Sequence, residues 1–118
     1  IMKTLFKGIL TAGLFLCATV SYGQSTVTGE VADLKCYLGS GALGPDHAKC
    51  AKGCLSSGQP MGLVTTDGKV YLLGIGKDKT QYESLIDLAG QQVEISGDVS
   101  EKNGMNMMIV GTARKSEG

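Results

Sequence analysis

The sequence predicts a small, mainly β fold: five strands closing into a barrel, one helix between the third and fourth strands, and a long insertion after the first. Three observations lead to it. Five short segments alternate apolar and polar residues or run apolar between turn signals. Asp67-Gly68 and Asn103-Gly104 mark two tight hairpins. Outside the insertion, only one segment carries helical spacing.

The first strand is expected at residues 26–34 (TVTGEVADL), where Val27, Gly29 and Val31 alternate with Thr28, Glu30 and Ala32. The second covers 62–66 (GLVTT) and turns at Asp67-Gly68 into the third, 69–75 (KVYLLGI). The unbroken apolar run of the third predicts a strand buried on both sides. In TQYESLIDLAG, Tyr82, Leu85, Ile86 and Ala89 fall on one helical face. Thr80 and Glu83 fit a capping box there, and Gly90 fits the position after the last turn. The fourth strand, 91–99 (QQVEISGDV), shows Val93, Ile95, Gly97 and Val99 on one face. The fifth, 105–113 (MNMMIVGTA), follows the turn at Lys102-Asn103-Gly104, and the last residues, RKSEG, read as a frayed tail.

Five strands with a helix between the third and fourth is the element order of an OB-fold barrel. Over 26–114 the chain resembles the small exported OB-fold proteins of bacteria, which implies a single barrel domain over residues 24–118 with a Cys/His insertion at 35–61. Gly29, Gly97 and Gly111 lie inside strand patterns, where glycine marks bulges and sharp bends.

The beginning of the chain reads as a secretory signal over 1–23: Lys3 and Lys7, an apolar run from Ile9 to Val20, then Ser21 and Gly23 before a cut at Gln24. The apolar run is short for a membrane span. Lipid attachment at Cys17 is excluded by Leu16, because that chemistry needs a small residue there. The expected location is periplasmic or extracellular, with no stable membrane span after cleavage. Removing the signal leaves 95 residues, nine basic against eleven acidic, and three tyrosines as the whole aromatic content. A weakly acidic, ring-poor chain is a poor binder of nucleic acid.

Three of the four cysteines and the only histidine fall in KCYLGSGALGPDHAKCAKGC, residues 35–54. The insertion is too long for a plain hairpin loop. Gly44-Pro45-Asp46 reads as a helix start with Asp46 as N-cap, followed by a short helix, HAKCAKGC. At about 100° per residue, His47, Cys50 and Cys54 share one face within roughly 60°. Cys36, at the end of the first strand, approaches the same face from the barrel. Thiolates with an imidazole suit zinc or copper(I), so Cys36, His47, Cys50 and Cys54 are the expected ligands of a soft metal ion. The Cys-x3-Cys part also resembles the copper relay and dinuclear copper sites of exported respiratory proteins. Those sites carry further His or Met ligands at set positions, whereas the histidine here precedes the cysteines, so that resemblance implies only copper as a candidate.

Two other uses of the cysteines stand beside this one. A disulfide from Cys36 to Cys50 or Cys54 would staple the loop within an extracytoplasmic ligand- or protein-binding module. A Cys50/Cys54 redox pair would make a thiol-redox protein, although the spacing departs from Cys-x2-Cys. Three thiols are an odd number for pairing within one chain and leave open a dimer linked by the spare one. Covalent haem is excluded by the lack of Cys-x2-Cys-His. Met105, Met107 and Met108 read as core-filling, and Met61 is the extra ligand if copper binds. Asp33 either orients His47 by hydrogen bonding or caps an element end. With no acid–base pair beside the cluster, a binding or structural role is favoured over turnover, with the metal ion and another exported protein as the candidate partners.

Overall fold

The alternating segments become five strands that close on themselves. The computed structural model describes residues 24–117, and the signal expected at 1–23 lies outside the described residues. β1 (Ser25–Asp33) leads into α1 (Leu34–Ser40), a 3-10 turn at Pro45–His47 and α2 (Ala48–Ser56). β2 (Met61–Val64) and β3 (Val70–Ile75) form a hairpin. α3 (Lys79–Ser84) and a 3-10 turn at Ile86–Leu88 follow, then the hairpin of β4 (Gln92–Lys102) and β5 (Met105–Lys115). Around the closed barrel the order is β1-β2-β3-β5-β4, with β4 pairing back to β1. Every pairing is antiparallel except β3 with β5. This is the five-stranded OB-like barrel that the element order predicts.

Inside the ring, Val31, Leu63, Val93, Ile95, Met108 and Val110 are fully buried, joined by Leu85 from the segment after β3. Each such side chain contributes about 1.5–3 kcal/mol relative to exposure. Leu85 and Ala89 are buried while Tyr82 and Ile86 pack partly against the core, although the expected single helix is split: α3 ends at Ser84 and Ile86 lies in the 3-10 turn. The cap differs from expectation. Asp78, not Thr80, is the N-cap, accepting from the Thr80 N–H at 3.1 Å, so Thr80 sits inside the first turn.

The doubly buried strand is β2 rather than β3. All four residues of β2 are buried, whereas in β3 Tyr71 and Leu73 are buried and Val70, Leu72 and Gly74 are only half-buried. The cause is α1. Leu34 lies over Gly62, where an added Cβ would come within 2.4 Å of the leucine. α1 itself departs from the expectation that the first strand runs through residue 34. Asp33 ends the strand because its carboxylate caps the helix. The final strand continues through Lys115, two residues into the tail expected to fray, and Arg114 donates to Glu94 Oε1 at 2.5 Å.

At the β4–β5 turn, Asn103 (φ 53°) and Gly104 (φ 87°) are successive left-handed residues, the requirement of a tight two-residue hairpin. The β4–β5 register shifts between Ser96 and Gly97. A Cβ at Gly97 would lie 1.9 Å from the Ile109 carbonyl oxygen, so only glycine lets the strands approach there. Gly97→Ala is therefore expected to destabilise the protein by about 1–3 kcal/mol, read as a lower urea midpoint at unchanged slope. Gly53→Ala, in α2 with open space around it, is the control and should gain roughly 0.5–1 kcal/mol. Equal midpoints for the two variants would refute the close-approach account.

Candidate metal centre

The insertion is fastened to the barrel at both ends and in the middle, and two of its predicted ligands, Cys36 and His47, meet Asp33 there. Asp33 closes β1 and caps α1. Its Oδ1 accepts the N–H groups of Lys35 at 3.0 Å and Cys36 at 3.4 Å. That cap places Cys36 in the first turn of a helix rather than at a strand end. α1 stops at Gly41 (φ 77°), whose N–H returns to Tyr37 O at 2.7 Å. The exit of the insertion is tied to its entrance by Leu34 N–H donating to Pro60 O at 2.9 Å.

His47 closes the 3-10 turn, its N–H on Gly44 O at 3.0 Å. Gly44 in turn donates its N–H to Glu30 Oε2 at 2.6 Å, so a strand carboxylate holds the loop that carries the imidazole. The expected Asp46 cap is not formed. Gly44 occupies the N-cap of this turn, and His47 precedes α2 instead of starting it. α2 docks through buried Ala51 and Leu55, and Lys52 meets Asp87 at 3.0 Å. That exposed ion pair adds little stability. The end of α2 is pinned at Cys54, whose carbonyl accepts from Ser57 Oγ at 2.8 Å and Gln59 N–H at 3.1 Å.

These fastenings bring a carboxylate oxygen of Asp33, the Cys36 sulfur and a ring nitrogen of His47 all within 4.8 Å of one another. Ligand atoms around a tetrahedral zinc ion stand about 3.3–3.8 Å apart, given metal–ligand bonds of about 2.0–2.3 Å. The Cys54 thiol faces the same carboxylate. Cys50, one helical turn earlier, is exposed. Cys36, Cys50 and Cys54 are all free thiols.

The electrostatics follow from this placement. Asp33 is 1% exposed, and burial alone would push its carboxyl up. The thiols of Cys36 and Cys54 and the backbone N–H groups of Cys36 and Lys35 outweigh burial and hold it below the ordinary carboxylate range. The same contact works in reverse on the thiols. Hydrogen bonding to Asp33, with desolvation and the carboxylate's charge, pushes Cys36 up to about 11, and Cys54 is raised for the same reasons. Two polar atoms are left over: Asp33 Oδ2 and His47 Nε2 are buried with no well-formed hydrogen bond. Such atoms are costly unless something satisfies them.

Asp33 is the residue that sequence reasoning undervalued. Its cap role was foreseen as one of two options, but its place among the thiols was not. The signal available was Asp-x-x-Cys at the end of an alternating strand. The methionines serve elsewhere. Met61 and Met108 fill the core, while Met105 is 65% exposed. Met105 lines a separate cleft of about 540 Å³ with Leu34, Leu38, Pro60, Val70 and Leu72. That cleft is apolar, and the Nδ2 of its Asn106 is already used on Val70 O at 3.2 Å. Among the described residues, no helix is long and apolar enough to cross a membrane. Compared with known protein families, curated proteins and solved structures, the chain finds no match.

Proposed function

We propose that this is an exported protein that holds one thiophilic metal ion, zinc or copper, at the end of its barrel, in a binding or structural role. The observation that carries the reading is the meeting of Asp33, Cys36 and His47 within 4.8 Å. Two stretches of the chain, the β1–α1 junction and the 3-10 turn, converge there, and two of the buried polar atoms they bring have no well-formed hydrogen bond. Cys54 faces the Asp33 carboxylate from α2. Export rests on the signal pattern of residues 1–23. The absence of a general acid–base pair next to the cluster favours holding an ion over turning over a substrate.

Metal analysis combined with a thiol count tests this. Purified protein is expected to carry about one zinc or copper ion per chain, with its cluster thiols slow to react until a chelator is added. Metal-free protein containing one disulfide and one free thiol after incubation with either ion would refute it and favour the loop-staple reading.

A further inference from the structure

Resting on that metal reading, we infer that Asp33 is itself a ligand, completing an Asp33–Cys36–His47–Cys54 set that selects a divalent, zinc-class ion over copper(I). The sequence points to three sulfurs and one nitrogen; the geometry points to two sulfurs, one nitrogen and one oxygen. Asp33, not a cysteine of α2, lies within ligand spacing of both Cys36 and His47. Its Oδ1 is engaged by the helix cap, which fixes the carboxyl plane. The carboxylate faces the Cys36 and Cys54 thiols, and its Oδ2, like His47 Nε2, is buried with no well-formed hydrogen bond, so both groups have bonding capacity that an ion would satisfy. Cys54 reaches the carboxylate, whereas Cys50 stands exposed at the rim.

Charge counting gives the selectivity. Two thiolates and one carboxylate bring three negative charges around a neutral imidazole. A divalent ion leaves one negative charge. A monovalent ion leaves two, at a site whose carboxylate is almost wholly buried. Ligand preference agrees. Zinc accepts carboxylate oxygen alongside sulfur and nitrogen, while copper(I) favours sulfur and gains little from a carboxylate. Entry of a divalent ion is a balanced exchange in which M–S bonds form as two thiol protons leave to solvent, and M–O and M–N bonds form on existing lone pairs.

Competition titrations of zinc and copper(I) into wild type, Asp33→Asn, Cys54→Ser and Cys50→Ser test the assignment. Asparagine keeps an oxygen for the helix cap, and circular dichroism checks the fold. Asp33→Asn is expected to weaken zinc by about tenfold or more and to leave copper(I) within about threefold. Cys54→Ser should weaken both ions, and Cys50→Ser should leave zinc unchanged. Cobalt(II) provides a readout that does not need Asp33→Asn to fold. Its sulfur-to-metal charge-transfer band should have two-thiolate intensity, fall in Cys36→Ser and Cys54→Ser, and be unaltered in Cys50→Ser. A three-thiolate band that Cys50→Ser diminishes, or wild-type zinc affinity in folded Asp33→Asn, overturns the assignment while leaving the metal reading intact. A wild type that takes up neither zinc nor copper(I) overturns both.

Discussion

Adding zinc to the metal-free protein, at about one hundred times its dissociation constant, is expected to raise the melting temperature by about 10–20 °C. Ligand linkage supplies about 2.7 kcal/mol at that saturation, and each kcal/mol moves a domain of this size by about 4–8 °C. The structure shows where the gain acts. Between Leu34 and Pro60 the fully buried side chains are Leu34, Ala51 and Leu55 alone. Ordering a backbone residue costs about 1–2 kcal/mol, so a segment this poor in buried area depends on its fastenings. The Gly44–Glu30 and Leu34–Pro60 hydrogen bonds supply two. An ion bound by Asp33, Cys36, His47 and Cys54 would tie β1, α1, the 3-10 turn and α2 at one point. Amide exchange should localise the effect, with protection rising in 35–56 and little change in the central residues of β4 and β5, which already hold the core. A melting temperature indifferent to zinc and to chelator would refute the clip.

The barrel was readable because its signals are local. Val93 and Ile95 alternate cleanly, Asn103-Gly104 allows one kind of turn, and both hairpins follow from a few neighbouring residues. What escaped depends on residues far apart in the chain. The depth of β2 could not be read from MGLV, because its outer face is covered by Leu34, a residue that seemed to prolong the first strand. The apolar run of β3 suggested two covered faces, but closure onto β5 leaves Val70 and Leu72 half-exposed beside the cleft. α1 was hidden because LKCYLGS lacks an apolar stripe; its cap, Asp33, and its stop, Gly41, were its only marks.

The candidate site divides in the same way. Counting residues along a helix and a strand places Cys36, His47, Cys50 and Cys54 together; the structure brings Cys36 and His47 to Asp33, sets Cys54 against the Asp33 carboxylate, leaves Cys50 exposed, and has His47 precede α2 rather than lie within it. Asp33 went unrecognised as a ligand because a carboxylate at a strand end is ordinarily solvated. Only the packing of α1 and α2 over the end of β1 turns it into a buried charge facing two thiols.

That pairing makes zinc affinity steeply dependent on pH, rising by about one hundredfold per pH unit. The sign follows from which form binds. The metal takes thiolates, and in the metal-free protein the Asp33 carboxylate holds the Cys36 thiol protonated up to about 11 and raises Cys54 as well. Both thiols therefore still carry their protons when the ion arrives, and each proton released contributes about tenfold per pH unit. Asp33, held below the ordinary carboxylate range, is already ionised and releases none. The window to measure is about pH 7.5–8.5, above the usual imidazole range and below the raised thiols. There the logarithm of the zinc affinity, corrected for buffer binding, should climb with a slope near two, and calorimetry in buffers of different ionisation enthalpy should count two protons per ion. A slope near one would mean that a single cysteine binds. A slope clearly above two would bring Cys50 into the set. Either result would contradict a site of two thiolates, one imidazole and one carboxylate, because in that site the protons released equal the positive charges gained.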